Sequence, residues 1–311
     1  MQPLRGSGQV YLTCGFDPDG RLFAAGGIGP VVDLWDTTDP GTPVRQLGER
    51  HPPVVHLALL GGGRLLAVTA RAGLRLVSAG ADVLLAAGGR VPWADRAAVS
   101  AGGIQLATAG EQLVVWEVGD GIHPLWSIGV ARMGPLYAGV AFDPVGSRLA
   151  ASRIRPGPAV HDYGGPVEPA VEVYRIVGRS AAELPAGLVT EVPVRGARPD
   201  RLAWSPDGAL LAGLVDKHLT VWETATWSEV FGPPADPGPG EWLTVLFHPG
   251  GRLLLTGGAA GTVGVWDVAS WSPVSTFRWG TGPVYALAVA PDGLRAAAAG
   301  QGGAVIWDLD A

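Results

Sequence analysis

The chain has 311 residues, of which 47% are hydrophobic and 16% are charged, and its formal net charge is −6. This length suffices for a large buried core, and the acidic balance disfavours general nucleic-acid binding, which depends on neutralising phosphates. Glycine, arginine or proline interrupts every apolar run well short of the roughly 18 residues that a membrane helix needs. One cysteine, Cys14, excludes an internal disulfide framework and a cysteine-based metal cluster.

The beginning of the sequence and its turn residues narrow the class of protein further. Residues 1–8 lack the apolar segment of a secretory signal, so we expect a cytoplasmic protein. The 48 glycines and 27 prolines lie between apolar runs without a collagen-like period, which is typical of turns. The composition therefore predicts many turns between apolar segments.

A pattern of turn, strand, turn and strand recurs along the whole chain, most clearly in residues 247–267. One marker is the strand residue four places before the turn glycine, at Phe16, Leu59, Val99, Phe142, Trp204, Phe247 and Val289. A second marker is the residue that ends the third strand, at Trp35, Val77, Trp116, Tyr174, Trp222, Trp266 and Trp307. Both markers give seven units, and a period of about 42 residues with four short strands is typical of a propeller blade.

These motifs resemble the WD-repeat family. Residues 16–20, 204–208 and 289–293 are similar to the family's first-turn motif, and residues 34–36, 221–223, 265–267 and 306–308 are similar to its third-strand ending. The fold implied is all-β, a seven-bladed β-propeller of four-stranded antiparallel blades in one domain over 1–311. The blade cores are expected at about 10–36, 54–78, 94–117, 136–175, 200–223, 242–267 and 283–308.

The resemblance and the pattern also assign structural residues. The aromatic residues that close the third strands are expected in the core: Trp35, Trp116, Tyr174, Trp222, Trp266 and Trp307. Asp216 matches the turn aspartate of the family and is expected to brace its turn. Only four residues follow Trp307, so the last blade needs an outer strand from elsewhere. We expect Pro3–Arg5 to pair with the strand that ends at Trp307 and to close the ring.

The fourth unit carries about 14 extra residues between its second and third strands, and their proline and glycine density predicts an irregular loop over 153–170. Arginine, histidine and aromatic residues gather at the end of the blades where this loop lies, and such residues are enriched in binding hot spots. The candidate partner-binding residues are Arg50, His51, Trp93, Arg132, Arg153, Arg155, His161, Tyr163, Arg198, Lys217, Trp242 and Trp279. We expect them to bind a protein segment with acidic side chains, although an ordinary polar surface would have a similar composition.

Catalytic and metal-binding patterns are not found. None of the six histidines has the spacing of a metal motif, and no nucleophile elbow, phosphate-binding loop or dinucleotide fingerprint is present. No cofactor, metal or catalytic residue is therefore predicted, and we expect a non-enzymatic interaction platform. Two alternatives remain open: an enzyme or small-molecule binder that uses the mouth of the central channel, and a regulatory or sensor subunit of a separate effector enzyme.

Overall fold

The structure is a computed structural model. It describes residues 2–29, 31–41, 43, 45–47, 53–69, 73–78, 81–83, 94–128, 136–156, 167–176, 187–196, 199–232, 241–280 and 282–309. Within these ranges the strands form seven four-stranded antiparallel sheets, which confirms the all-β fold of seven propeller blades. We number the sheets 1 to 7 by the chain order of their first inner strands.

The chain divides into two compact units, Met1–Ala86 with Pro233–Ala311, and Ala87–Gly232. The first unit contains four sheets within the described ranges. Sheet 1 contains β2 (Val10–Phe16), β3 (Leu22–Ile28), β4 (Val32–Asp36) and β5 (Arg45–Leu47), and sheet 2 contains β6 (Val54–Leu60), β7 (Arg64–Thr69), β8 (Gly73–Ser78) and β9 (Ala81–Val83). Sheet 6 contains β22 (Trp242–Phe247), β23 (Leu253–Gly258), β24 (Thr262–Asp267) and β25 (Ser272–Arg278). Sheet 7 contains β26 (Val284–Val289), β27 (Arg295–Gly300), β28 (Gly303–Asp308) and the N-terminal strand β1 (Gln2–Leu4). A short 3-10 turn, Gly61–Gly63, connects β6 and β7.

The second unit contains the other three sheets of the described chain. Its strands are β10 (Ala94–Val99), β11 (Gln105–Gly110), β12 (Leu113–Val118) and β13 (Ile122–Ile128) of sheet 3; β14 (Leu136–Phe142), β15 (Arg148–Pro156), β16 (Val167–Arg175) and β17 (Leu188–Pro193) of sheet 4; and β18 (Leu202–Trp204), β19 (Leu210–Val215), β20 (His218–Glu223) and β21 (Glu229–Phe231) of sheet 5. The prediction that both units belong to one domain stays a prediction.

The core lies between neighbouring sheets, because each sheet has apolar side chains on both faces. One cluster joins sheets 3 and 4 around Leu113 and Leu149, and another joins sheets 7 and 1 around Trp35 and Ala297. Five of the aromatic residues expected in the core are at most 4% exposed, and Trp266 is half-buried. Each sheet is too thin to bury these faces within itself, so face-to-face packing supplies the main stabilisation.

Polar contacts also connect neighbouring sheets, through cationic or imidazole side chains that bond the carbonyl of a first-turn glycine. Arg295 of sheet 7 donates to the Gly20 carbonyl at 2.9 Å, and Arg148 of sheet 4 donates to the Gly208 carbonyl at 3.3 Å. His248 Nε2 lies 2.9 Å from the Gly293 carbonyl oxygen. These contacts fix the first turns of adjacent sheets against each other, a polar bracing that we had not expected from the sequence.

The N-terminal strand completes sheet 7, which confirms the predicted closure. β1 pairs antiparallel with β28, and its register is Gln2↔Ile306, Pro3↔Val305 and Leu4↔Ala304. The pairing strand is Gln2–Leu4, one residue earlier than expected. The side chain of Leu4 is 8% exposed in the core between sheets 7 and 1, so the strand contributes apolar burial as well as ladder hydrogen bonds.

The prediction of an irregular loop over 153–170 is wrong at both ends. β15 continues to Pro156 and β16 begins at Val167, and the two strands pair from Arg148↔Arg175 to Pro156↔Val167. The prolines had favoured a loop because proline cannot donate a backbone hydrogen bond to a strand ladder. Pro156 is the last residue of its strand, and Pro169 lies outside the stretch of β16 that pairs with β17, so few ladder hydrogen bonds are lost. Residues 157–166 of the predicted loop lie outside the described residues.

Candidate protein-binding site

We call the end of each sheet that carries the connection between its second and third strands the loop end. The opposite end, which carries the connection between the first and second strands, is the turn end. At the loop end of sheet 4, β15 and β16 have nine residues each, whereas the second and third strands of sheets 3 and 5 have six. Three extra residues at about 3.3 Å each extend this hairpin by roughly 10 Å.

A buried charged network holds the base of the hairpin. Arg153 is 1% exposed; its Nε pairs with Glu172, and its Nη2 lies 2.7 Å from the carboxylate of Glu191. The hydroxyls of Tyr137 and Tyr174 both donate to the carboxylate of Glu172, the first at 3.3 Å. One cation between two carboxylates, with hydroxyl donors beside them, satisfies charges that would otherwise be costly to bury.

The two tyrosines of this network stay neutral donors over a wide pH range. Burial raises the pKa of Tyr137 to about 12, and the negative charge of Glu172 adds to this effect. Burial also raises the pKa of Tyr174 well above its ordinary value, and its hydrogen bond to Glu172 adds to this effect. Both hydroxyls therefore remain able to donate to Glu172 at neutral pH.

Sheet 1 repeats part of this arrangement with a different acid. Asp33 is fully buried and accepts hydrogen bonds from the Tyr11 hydroxyl at 2.5 Å and from the Ser7 hydroxyl at 2.6 Å. Asp33 lies two residues before Trp35, as Glu172 lies two residues before Tyr174. Sequence reasoning missed both acids, although a carboxylate at that third-strand position is a signal that could have identified them.

The candidate residues of the sequence analysis fall into three groups. Seven of them lie outside the described residues, so the structure says nothing of their positions: Arg50, His51, Trp93, Arg132, His161, Tyr163 and Arg198. Arg155 lies in β15, opposite Glu168 on β16, and its side chain is not described. The structure describes Arg153, Lys217, Trp242 and Trp279 in full.

The placement of Arg153 corrects one expectation. Its guanidinium lies in the interior of sheet 4 and pairs with Glu172 and Glu191, so its charge is compensated within the fold. At 1% exposure it cannot contact a partner. Arg153 therefore positions the hairpin and is removed from the set of contact residues.

Lys217 occupies a position suited to contact with a partner. It lies in the two-residue turn between β19 and β20, whose flanking residues Val215 and His218 pair with each other. Asp216 and Lys217 both have positive φ, 49° and 66°, which is typical of the tight turn that matches strand twist. Both side chains are exposed at the loop end of sheet 5.

Trp242 and Trp279 are half-buried and take part in packing. The ring of Trp242 meets the ring of Trp266 edge-on at 6.0 Å within sheet 6. The ring of Trp279 stacks on Phe277 at 5.6 Å and lies 4.6 Å from Trp307 of sheet 7. Both tryptophans stabilise the sheets, and only their outer surfaces are available at the protein surface.

The described residues contain neither a candidate metal site nor a candidate membrane helix. No group of three or more histidine, cysteine, aspartate or glutamate side chains in those ranges is arranged to hold a metal ion. No helix there is long and apolar enough to cross a membrane.

Parts of the chain are similar in sequence to known proteins. Residues 238–267 match the family model described as WD domain, G-beta repeat. A 69-residue segment is 36% identical to pre-mRNA-processing factor 19 homolog 2 of Arabidopsis thaliana, and a 68-residue segment is 37% identical to pre-mRNA-processing factor 19 of Oryza sativa subsp. japonica. Each alignment covers 22% of this chain and 13% of the relative.

Proposed function

Because the chain is a WD-repeat β-propeller, we propose that it is a non-enzymatic protein-interaction platform that docks a partner protein or peptide at the loop end. Propellers of this family generally bind protein partners and serve as scaffolds. We extend this to the present chain as a cytoplasmic protein without a bound cofactor. The alignments cover only 13% of each relative, so the proposal does not take its partner from them.

The extended hairpin of sheet 4 is the observation that carries the proposal. Its two strands have nine residues each, and its base is fixed by the Arg153–Glu172–Glu191 network. An element held in place before binding loses less conformational entropy when a partner docks, so more of the contact energy appears as affinity. An element that served only to connect two strands would need neither this length nor a buried charged base.

We propose that the partner segment carries acidic side chains. Lys217 is exposed at the loop end, and Arg50, Arg132, Arg155 and Arg198 are assigned to that end by the sequence pattern. Charges at the rim of an interface increase the association rate and select the partner more than they increase affinity. Arg153 supports the hairpin from within and makes no contact in this proposal.

The test is to shorten the hairpin while its base stays intact. Replacing residues 155–168 with Asn-Gly joins Ile154 to Pro169, which face each other in the register, by a favoured two-residue turn. We expect the shortened chain to keep its melting temperature and to lose its partner in affinity capture from native lysate. Val274→Asp, at a residue that is 59% exposed on the outer strand β25, is the control and should capture the partner as the wild type does. Equal capture by the shortened chain would reject the hairpin as the docking element.

The channel-ligand alternative makes a different prediction in the same preparation. A thermal-shift screen of metal ions and metabolites should give no large stabilisation if the chain acts as a platform. A compound that binds the folded state at one hundred times its Kd would stabilise it by about 2.7 kcal/mol. A shift of that size would replace the platform proposal with that of a small-molecule binder.

A further inference from the structure

The first turns of sheets 3, 4 and 5 form a continuous ridge at the turn end of the second unit. A Cβ on Gly146 of sheet 4 would lie 3.5 Å from the Cβ of Ser100 in sheet 3. A Cβ on Gly208 of sheet 5 would lie 3.6 Å from the ring of Pro144 in sheet 4. Arg148 strengthens the second junction, because it bonds the Gly208 carbonyl and stacks 4.5 Å above the ring of Trp204. The turns therefore contact one another in sequence.

Val145 is an anomaly on this ridge. At the corresponding place, directly before the turn glycine, sheets 1, 5 and 7 carry Asp19, Asp207 and Asp292. The aspartates of sheets 5 and 7 cap their own turns by accepting a backbone N–H at 3.0 and 2.9 Å. A valine cannot do this, and its β-branched side chain suits a turn poorly.

The turn of sheet 4 is capped from another position. Asp143 accepts the backbone N–H of Ser147 at 2.7 Å and that of Arg148 at 2.9 Å, so the turn does not depend on its third residue. The side chain of Val145 nevertheless remains 81% exposed, and Ile104 in the adjoining turn of sheet 3 is 55% exposed. A residue that breaks the local turn chemistry without a packing gain is a candidate for a functional role.

The turn ends of sheets 3 to 5 also carry acidic side chains. Asp143 and Arg148 form an ion pair at 3.0 Å and compensate each other's charge. Apart from this pair, the described residues at these turn ends include one arginine, Arg175, and several carboxylates. These carboxylates are Glu117, Asp120, Asp207 and Glu223. Asp207 accepts hydrogen bonds from the Ser205 hydroxyl and the Ala209 N–H through Oδ1. Hydrogen bonding by the Ser205 hydroxyl lowers the pKa of Asp207, so this charge persists in mild acid.

We propose that the turn-end ridge of sheets 3 to 5 is a second docking surface, which binds a protein segment that presents an apolar side chain between lysine or arginine residues. Val145 and Ile104 contact the apolar side chain, and the turn-end carboxylates pair with the basic residues. Complementary charge selects this occupant and disfavours nucleic acids and anionic lipid, which the same carboxylates repel. The surface is independent of the loop end and of the partner proposed there.

The test uses a phage-displayed library of random short peptides selected on the intact chain. We expect enriched sequences that place a leucine, isoleucine or phenylalanine between basic residues. The synthetic form of the most enriched sequence should bind with an affinity that falls as salt is added, because rim charges are screened. Enrichment of acidic peptides, or of none, overturns the proposal.

Two variants at the ridge locate the binding site. Val145→Asp recreates the Asp-Pro-Asp-Gly turn that sheet 1 already contains at residues 17–20, so we expect it to fold as the wild type does. It should weaken peptide binding about tenfold, the effect of losing one buried hot-spot contact. Asp120→Lys should weaken binding roughly threefold, as expected for an exposed charge.

Control variants separate this surface from the other possibilities. Val274→Asp changes a valine that is 59% exposed on the outer strand β25 and should leave peptide binding unchanged. Lys217→Glu and the shortened hairpin should also leave it unchanged. If these loop-end variants abolish binding and Val145→Asp does not, the peptide occupies the loop end and the second surface is rejected. A concentration-dependent dimer that Val145→Asp disrupts would replace the basic segment with a second copy of the chain as the occupant.

Discussion

Replacing Arg153 with methionine tests the role of the buried network in the fold. Methionine keeps most of the apolar stem of the arginine and removes its charge, so the substitution isolates the ion pairs. In the wild type the side chain of Arg153 is 1% exposed and that of Glu172 is 5% exposed. The variant leaves the Glu172 carboxylate buried, with the hydroxyls of Tyr137 and Tyr174 as its remaining donors in the described network.

The magnitude follows from this burial. Removing one partner of a buried ion pair typically costs about 3–5 kcal/mol, because the other charge stays in the interior. At roughly 2–4 °C per kcal/mol for domains of this size, the melting temperature should fall by on the order of 10 °C. The double variant Arg153→Met/Glu172→Gln removes both charges and should recover most of the lost stability, since a neutral amide can still bond the two hydroxyls.

The assay is urea unfolding followed by tryptophan fluorescence, with the free energy of unfolding compared among the variants. Arg175→Met, in the same sheet but exposed, is the matched control and should change stability by less than about 0.5 kcal/mol. If Arg153→Met costs no more than this control, the network does not hold the base of the hairpin. If the double variant is no more stable than the single one, the cost does not come from an uncompensated buried charge.

Three further predictions concern the ends of the chain and its titration. Deleting residues 1–6 removes β1 and should lower the melting temperature by several degrees in a thermal scan; an unchanged value would show that the strand is dispensable. The folded state raises the pKa of Tyr137 from 10.0 to about 12, so the stability that its hydroxyl contributes is complete below pH 10 and should be lost as the pH rises towards 12. The free energy of unfolding, measured in a series of alkaline buffers, tests this. The folded state lowers the pKa of Asp207 from 3.8, so the stability that its carboxylate contributes is present above pH 3.8 and should disappear at lower pH. The stability of Asp207→Asn should therefore be less sensitive to acid than that of the wild type. Equal acid sensitivity would contradict the lowered pKa.

The sequence predicted the features that repeat or that depend on neighbouring residues. Turn glycines and third-strand aromatics recur in register, so the sheets, their core residues and the pairing of the N-terminal strand could all be inferred. Local turn chemistry is written in a few adjacent residues, and hydrophobic alternation needs only one strand. These signals do not require knowledge of the partner strands.

The parts that were missed depend on contacts across strands. Arg153 finds its carboxylates at Glu172 and Glu191, on two later strands, and nothing near Arg153 in the sequence distinguishes a buried ion pair from a charged loop. The indole N–H of Trp116 donates to Thr108 at 3.0 Å, and that of Trp266 donates to Thr256 at 2.9 Å. These pairs join neighbouring strands of one sheet, and the spacing alone would not have identified them before the strand register was known.

The most direct test of the interaction-platform account is crosslinking of the intact chain in native lysate, followed by mapping of the crosslinked sites on the chain. The account predicts protein partners whose crosslinks cluster at the loop end, at Lys217 and in residues 157–166. Crosslinks spread over all surfaces without a cluster at the loop end would contradict it.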